Sequence, residues 1–139
     1  MREISYRGRR VDNGEWAAGH YLTKRTKDHG LQHMISVQDM WGFHEVDSET
    51  VGQYTGLKDR NDKEIFEGDI LLCESNGIQH YEHRVVCYDI FQTRYKAVPP
   101  TAYHQNAGQG GWTGYELKYH NEVIGNIHEH PHLLKGKEA

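Results

Sequence analysis

The chain has 139 residues, a length that favours one domain spanning residues 1–139 and can bury roughly two-thirds of its unfolded surface. Its formal net charge is −4, from 16 basic and 20 acidic residues with no long single-sign block, which argues against a nucleic-acid coat or a membrane-surface protein. Two cysteines, Cys73 and Cys87, do not make a disulfide scaffold, and no N-terminal h-region or long apolar run appears, so the expectation is a reduced, cytoplasmic protein with no membrane span.

Apolar residues make up 36% of the chain, with 15 glycines, 9 tyrosines and 11 histidines filling the gap. High glycine with short apolar runs predicts a mostly β fold whose core draws on Tyr and His. Glu3–Arg10 alternates and predicts a strand. Val11–Gly14 predicts a turn, with the Asn13-Gly14 pair supplying positive-φ positions. Glu15–Lys24 is the return strand, with Gly19 marking a bulge or a close backbone approach. Arg25–Gly30 reads as a loop, and Leu31–Gln38 as a third strand. A turn and short strand follow around Met40, Trp41 and Phe43, then one helical turn over Val46–Thr50 capped by Asp47 or Ser48.

The stretch Val51–Leu72 organises the rest. Val51–Tyr54 is extended and Thr55–Lys63 is a wide turn, plugged by Leu57 and closed by Asp59, Asn61 and Asp62 on their own backbone. Glu67-Gly68-Asp69 is a corner: Gly68 takes a backbone shape closed to other residues, and Asp69 accepts loop amides. Ile70–Glu74 is a buried strand, and Asn76-Gly77 predicts a hairpin to Ile78–Asp89. Phe91–Val98 pairs next. Pro99–Gly111 shows no periodicity and reads as a loose loop. Trp112–Leu117 and Glu122–Ile127 close the sheet, His128–Leu134 docks through Leu133 and Leu134, and Lys135–Ala139 frays.

The runs Met1–Gly19, Val51–Leu72 (VGQYTGLKDRNDKEIFEGDILL) and Glu122–Leu134 (EVIGNIHEHPHLL) resemble the YopX family of phage and prophage proteins. They cover about half of the chain and all of its ends, in the right order. The resemblance implies a small SH3-like barrel or roll with additional β-hairpins, phage origin and a bacterial cytoplasm as location. It carries over no catalytic residue. One departure is visible: the family's wide turn usually reads Asp-x-Asn-Gly, and here it is Asp59-Arg60-Asn61-Asp62, which predicts slight strain at Asp62.

Individual chemistries are weakly supported. His80-x-x-His83 and His128-x-His130-x-His132 could be imagined as metal ligands, but Pro131 breaks strand geometry and a structural site needs about four ligands. No metal or other cofactor is expected. If Asn76-Gly77 is a two-residue turn, Cys73 faces His80 and lies far from Cys87, so no disulfide is expected. No Gly-x-Ser-x-Gly elbow, phosphate loop or dinucleotide fingerprint is present. Glu67 and Asp69 read as corner residues rather than an acid–base pair.

Two functional readings follow. The first is a non-enzymatic module binding a host or phage protein, motivated by Tyr103 and Trp112 on glycine-rich flanks. The alternative is single-stranded nucleic-acid binding through Arg84, Tyr88, Arg94 and Tyr95, which interleave basic and aromatic groups on one hairpin. Edge strands in a short sheet would also allow a homo-oligomer.

Overall fold

The computed structural model describes residues 3–37, 42–75, 80–106, 114–118 and 121–134. The expectations placed on Met40, Trp41, Asn76-Gly77, Trp112 and the tail Lys135–Ala139 lie outside the described residues. Strands account for 61% of the described residues. The chain is therefore mostly β, a small barrel with extra strands and a second sheet. It divides into two compact units, the first ending at Gly56 and the second beginning at Leu57.

In the first unit, β1 (Tyr6–Arg10), β2 (Trp16–Thr26), β3 (Gly30–Ser36) and β4 (Phe43–Lys58) pair in order, and β4 pairs back to β1. The ring closes because two strands change partner along their length. The first part of β2 pairs with β1 as far as Gly19, and the rest pairs with β3 from His20 onward. Gly19 is the corner of that switch. A Cβ there would stand 2.0 Å from the Ser36 carbonyl oxygen, so the predicted close approach is real. The barrel interior is small: Ala17, Ile35 and Val46 are buried, with Tyr6, Tyr21, Val37 and Val51 against them.

Three local expectations change in this unit. The loop predicted at Arg25–Gly30 shrinks, because β2 runs to Thr26 and Thr26 pairs with Gly30. At the first turn only Gly14 has positive φ, at 74°, while Asn13 accepts the Glu15 amide through its side chain at 2.9 Å. The helical turn expected at Val46–Thr50 lies inside β4. Asp47 does close on the Glu49 amide, at 3.1 Å, but this local bond shapes an irregularity in a strand instead of capping a helix.

In the second unit the turn Asp59–Lys63 leads to β5 (Glu64–Phe66). Then β6 (Asp69–Ser75), β7 (His80–Asp89), β8 (Arg94–Val98) and β9 (Glu122–Asn126) form an antiparallel sheet in the order β8-β7-β6-β9. Both faces are covered at the centre of the sheet, which is why Ile70–Cys73 and Val85–Cys87 are unbroken apolar runs. Leu71, Cys73, Val86, Ala97 and Val123 share one face with Ile65, Leu57 and Leu117. Ile70, Val85, Cys87 and Val98 share the other with Leu133 and Leu134. The Glu67–Asp69 corner is built as predicted: Gly68 has φ 91°, and buried Asp69 accepts the Phe66 amide at 2.8 Å.

The region after β8 corrects the loose-loop expectation. Pro100–Asn106 forms the helix α1, and its Ala102 and Tyr103 pack on the core. A seven-residue helix is too short for periodicity to reveal. Leu133 and Leu134 dock as expected, from a 3-10 turn at Pro131–Leu134.

Asp62 adopts φ 64°, so the departure from glycine places an L-residue in the left-handed region. Asp62→Gly is expected to raise stability by roughly 0.5–1 kcal/mol, by removing the Cβ strain of that region. Urea unfolding midpoints of the two proteins check it, and a lower midpoint for the glycine variant would refute it.

Candidate functional site

The hairpin of β7 and β8 carries all four nucleic-acid candidates, in unlike settings. Arg84 is buried. Its guanidinium carbon lies 3.7 Å over the Tyr115 ring, and its Nε donates to Glu82 Oε1 at 2.5 Å. Tyr88 and Tyr95 are cross-strand partners and meet edge-to-face at 5.0 Å, with Tyr95 packed on the core. Arg94 is exposed at the strand end, 3.9 Å from Glu116. Tyr88 and Tyr95 are thus brought together, Arg84 is taken inside, and Arg94 stands at the hairpin's end.

The same hairpin is held by the turn that precedes β8. Predicted strand Phe91–Val98 begins only at Arg94, because Asp89 closes a turn before it. Asp89 Oδ1 accepts the amides of Phe91 at 2.9 Å and Gln92 at 3.3 Å. Its Oδ2 accepts from Lys96 Nζ at 2.7 Å. Both charged side chains are buried, at 0% and 5% exposure. Thr93 completes the turn with φ 52°. Gly114 covers the lysine stem, where a Cβ would stand 3.1 Å from Lys96 Cβ and Cδ.

This buried ion pair holds a turn whose apex is apolar. Ile90 is 63% exposed and Phe91 74%. Tyr88 and Tyr115 are also exposed large hydrophobics of this unit. Single exposed apolar residues are ordinary, but adjacent ones at a fixed turn are not. An aspartate two residues before the phenylalanine was a legible turn signal. Lys96 was not legible, since lysine is almost never buried unless paired.

The remaining candidates are used structurally. Cys73 and Cys87 are free and buried and sit on opposite faces of the sheet. Burial pushes the Cys73 thiol up to about 11 and the Cys87 thiol up to about 12. Ser75 pairs with His80 and Cys73 with Glu82, so Cys73 faces Glu82 and not His80. His83 Nδ1 lies 2.8 Å from the Leu133 carbonyl, and His130 Nδ1 accepts the Asn126 amide at 3.2 Å. His130 and His132 rings stand 6.1 Å apart. Among the described residues no three metal-ligating side chains gather. Tyr103 sits half-buried in α1 on the core, with burial raising its phenol above the usual range, and so lies in a helix and not in the loose loop expected at Pro99–Gly111.

No helix of the described residues is long and apolar enough to cross a membrane. A family model described as YopX protein matches residues 5–135. No curated protein matches the chain. Among solved structures, protein EF1440 from Enterococcus faecalis is similar at 21% identity and a TM-score of 0.48, over 97% of this chain and 100% of that one.

Proposed function

Since the chain belongs to the YopX family, we propose that it is a phage or prophage protein acting in the bacterial cytoplasm as a non-enzymatic protein-interaction module. The observation that carries this reading is the apolar apex Ile90-Phe91 on a turn fixed by buried Asp89. A buried ion pair adds little net stability but can hold one conformation. A fixed apex loses little entropy on docking, which favours affinity. Two side chains cannot supply the ~800 Å² per partner of a standard interface. The apex therefore serves as an anchor inserted into an apolar pocket of a host or phage protein.

A photo-crosslinking residue at position 91, with a control at exposed Glu49, tests this in host lysate. The expected result is one discrete adduct from position 91 alone, competed by the unlabelled protein. The variant Phe91→Ser should no longer compete, while its stability changes by less than about 0.5 kcal/mol. Equal competition by the variant would overturn the reading. Saturable, salt-dependent binding of single-stranded oligonucleotides, lost on Arg94→Gln, would instead support the nucleic-acid alternative.

A further inference from the structure

The first unit carries a surface cavity of about 450 Å³ lined by Arg9, Arg10, Val11, Gly14, Asp47 and Thr50, a volume in the range of small-ligand sites. Its origin is an irregularity in strand pairing. Arg7 and Arg9 are two apart on β1, but their partners Gly52 and Asp47 are five apart on β4. The surplus residues make a bulge in β4, the kind of irregularity often found next to binding sites. The bulge is fixed at its base by buried Thr50, whose hydroxyl accepts the Arg9 amide at 2.8 Å and donates to the Asp47 carbonyl at 2.6 Å.

The charged groups around the cavity are not equivalent. Arg10 is engaged by Asp12, at 3.0 and 2.7 Å in a two-pronged contact, and that hydrogen bond holds the Asp12 carboxyl below its usual range. Arg9 is anchored through Nε, which donates to the Gly14 carbonyl at 3.1 Å. Among the described residues its two terminal nitrogens make no further hydrogen bond or ion pair. Asp47 is its direct cross-strand partner, yet no ion pair joins them among the described residues. Asp47 uses Oδ1 for the Glu49 amide, and Oδ2 is left over. Arg9 and Asp47 thus line one cavity without an ion pair or hydrogen bond between their side chains among the described residues.

We propose that this cavity binds a small zwitterion carrying a carboxylate and an ammonium group, the chemistry of a free amino acid or of a short peptide's termini. The planar fork of Arg9 matches a carboxylate bidentately. The Asp47 oxygen accepts from the ammonium. A phosphate dianion would meet the fork but would also face Asp47, so the site discriminates against it.

Amide NMR on the full chain tests this with alanine, alanylalanine, propionate, ethylamine and inorganic phosphate as probes. Alanine or alanylalanine should give saturable shifts at Arg9, Gly14 and Asp47–Thr50, with the other three at least about tenfold weaker. Whichever of the two is tighter identifies the source, free amino acid or peptide terminus. Asp47→Asn keeps the Oδ1 acceptor and should bring the zwitterion down to the level of propionate. Arg9→Gln should lose at least about tenfold in affinity. If Arg9→Gln loses the native spectrum, Arg9→Lys keeps the charge without the fork and should still bind weakly. Absence of saturable shifts with both zwitterions, equal binding of propionate or phosphate, or full affinity in the Arg9 variant would each overturn the proposal.

Discussion

Replacing Asp59 by alanine is expected to lower the unfolding free energy by about 3–5 kcal/mol. Asp59 is 5% exposed and accepts three backbone amides: Asn61 at 2.8 Å, Lys63 at 2.9 Å and Val123 at 2.9 Å. Two of these close the wide turn, and the third ties it to β9 across 64 residues of sequence. Alanine leaves all three donors without that acceptor, and the Val123 amide is in a buried bond. Each such loss costs about 1–3 kcal/mol. Burial alone would raise the Asp59 carboxyl, but the amides of Val123, Lys63 and Asn61 outweigh it, and the net direction is down. The folded state therefore binds this proton less tightly than the unfolded chain, whose carboxyl titrates near ~3.9. Its stabilising contribution is present above that value and is lost as pH falls through the lower folded value. Asp59→Asn should be less stable at neutral pH, with the gap to the wild type narrowing toward pH 3. Urea titrations at pH 7, 5 and 3.5 measure this; a constant gap across the series would refute it.

Breaking the Asp89–Lys96 pair is expected to cost about 3–5 kcal/mol from either side. Lys96→Met leaves a fully buried carboxylate short of its ammonium, and Asp89→Asn leaves the ammonium short of its carboxylate. The pair itself is worth less than either loss suggests, because taking two charges out of water offsets much of their attraction. The double variant Asp89→Asn/Lys96→Met should therefore recover at least about 2 kcal/mol relative to the sum of the single changes. The asparagine oxygen can still accept the Phe91 and Gln92 amides, so the turn keeps its shape. Equilibrium unfolding of all four proteins gives the coupling. Additive single effects would mean that the two groups act independently. The same series bears on function: either single variant should loosen the Ile90-Phe91 apex and weaken the position-91 crosslink, whereas the double variant should retain it.

Local turn chemistry was legible in the sequence wherever a few neighbouring residues decide the outcome. The Gly68 corner with Asp69, the Asp59 turn plugged by Leu57, the strain at Asp62, the close approach at Gly19 and the docking of Leu133 and Leu134 were all readable. The mostly β class and the family followed from the same runs. Helix α1 leaves no periodic signal in the sequence because seven residues make fewer than two turns. The Val46–Thr50 segment was misassigned because Asp47 closes a turn in either setting.

What the tertiary structure decided was register and sidedness. Offsetting the β6–β7 ladder to pair Ser75 with His80 removes the Cys73–His80 encounter. Arg84 sits on the face where Tyr115 covers it, so a cation that looks like a nucleic-acid contact becomes an internal one. Lys96 and Asp89 meet only because β8 folds back on β7, and Arg9 faces Asp47 only because β4 returns to β1. These arrangements depend on strand register, and a one-residue slip in pairing turns every side chain to the opposite face. Sequence therefore determines the turns and the supply of charged and apolar groups. Long-range strand pairing decides which of those groups are buried, paired or left facing a ligand.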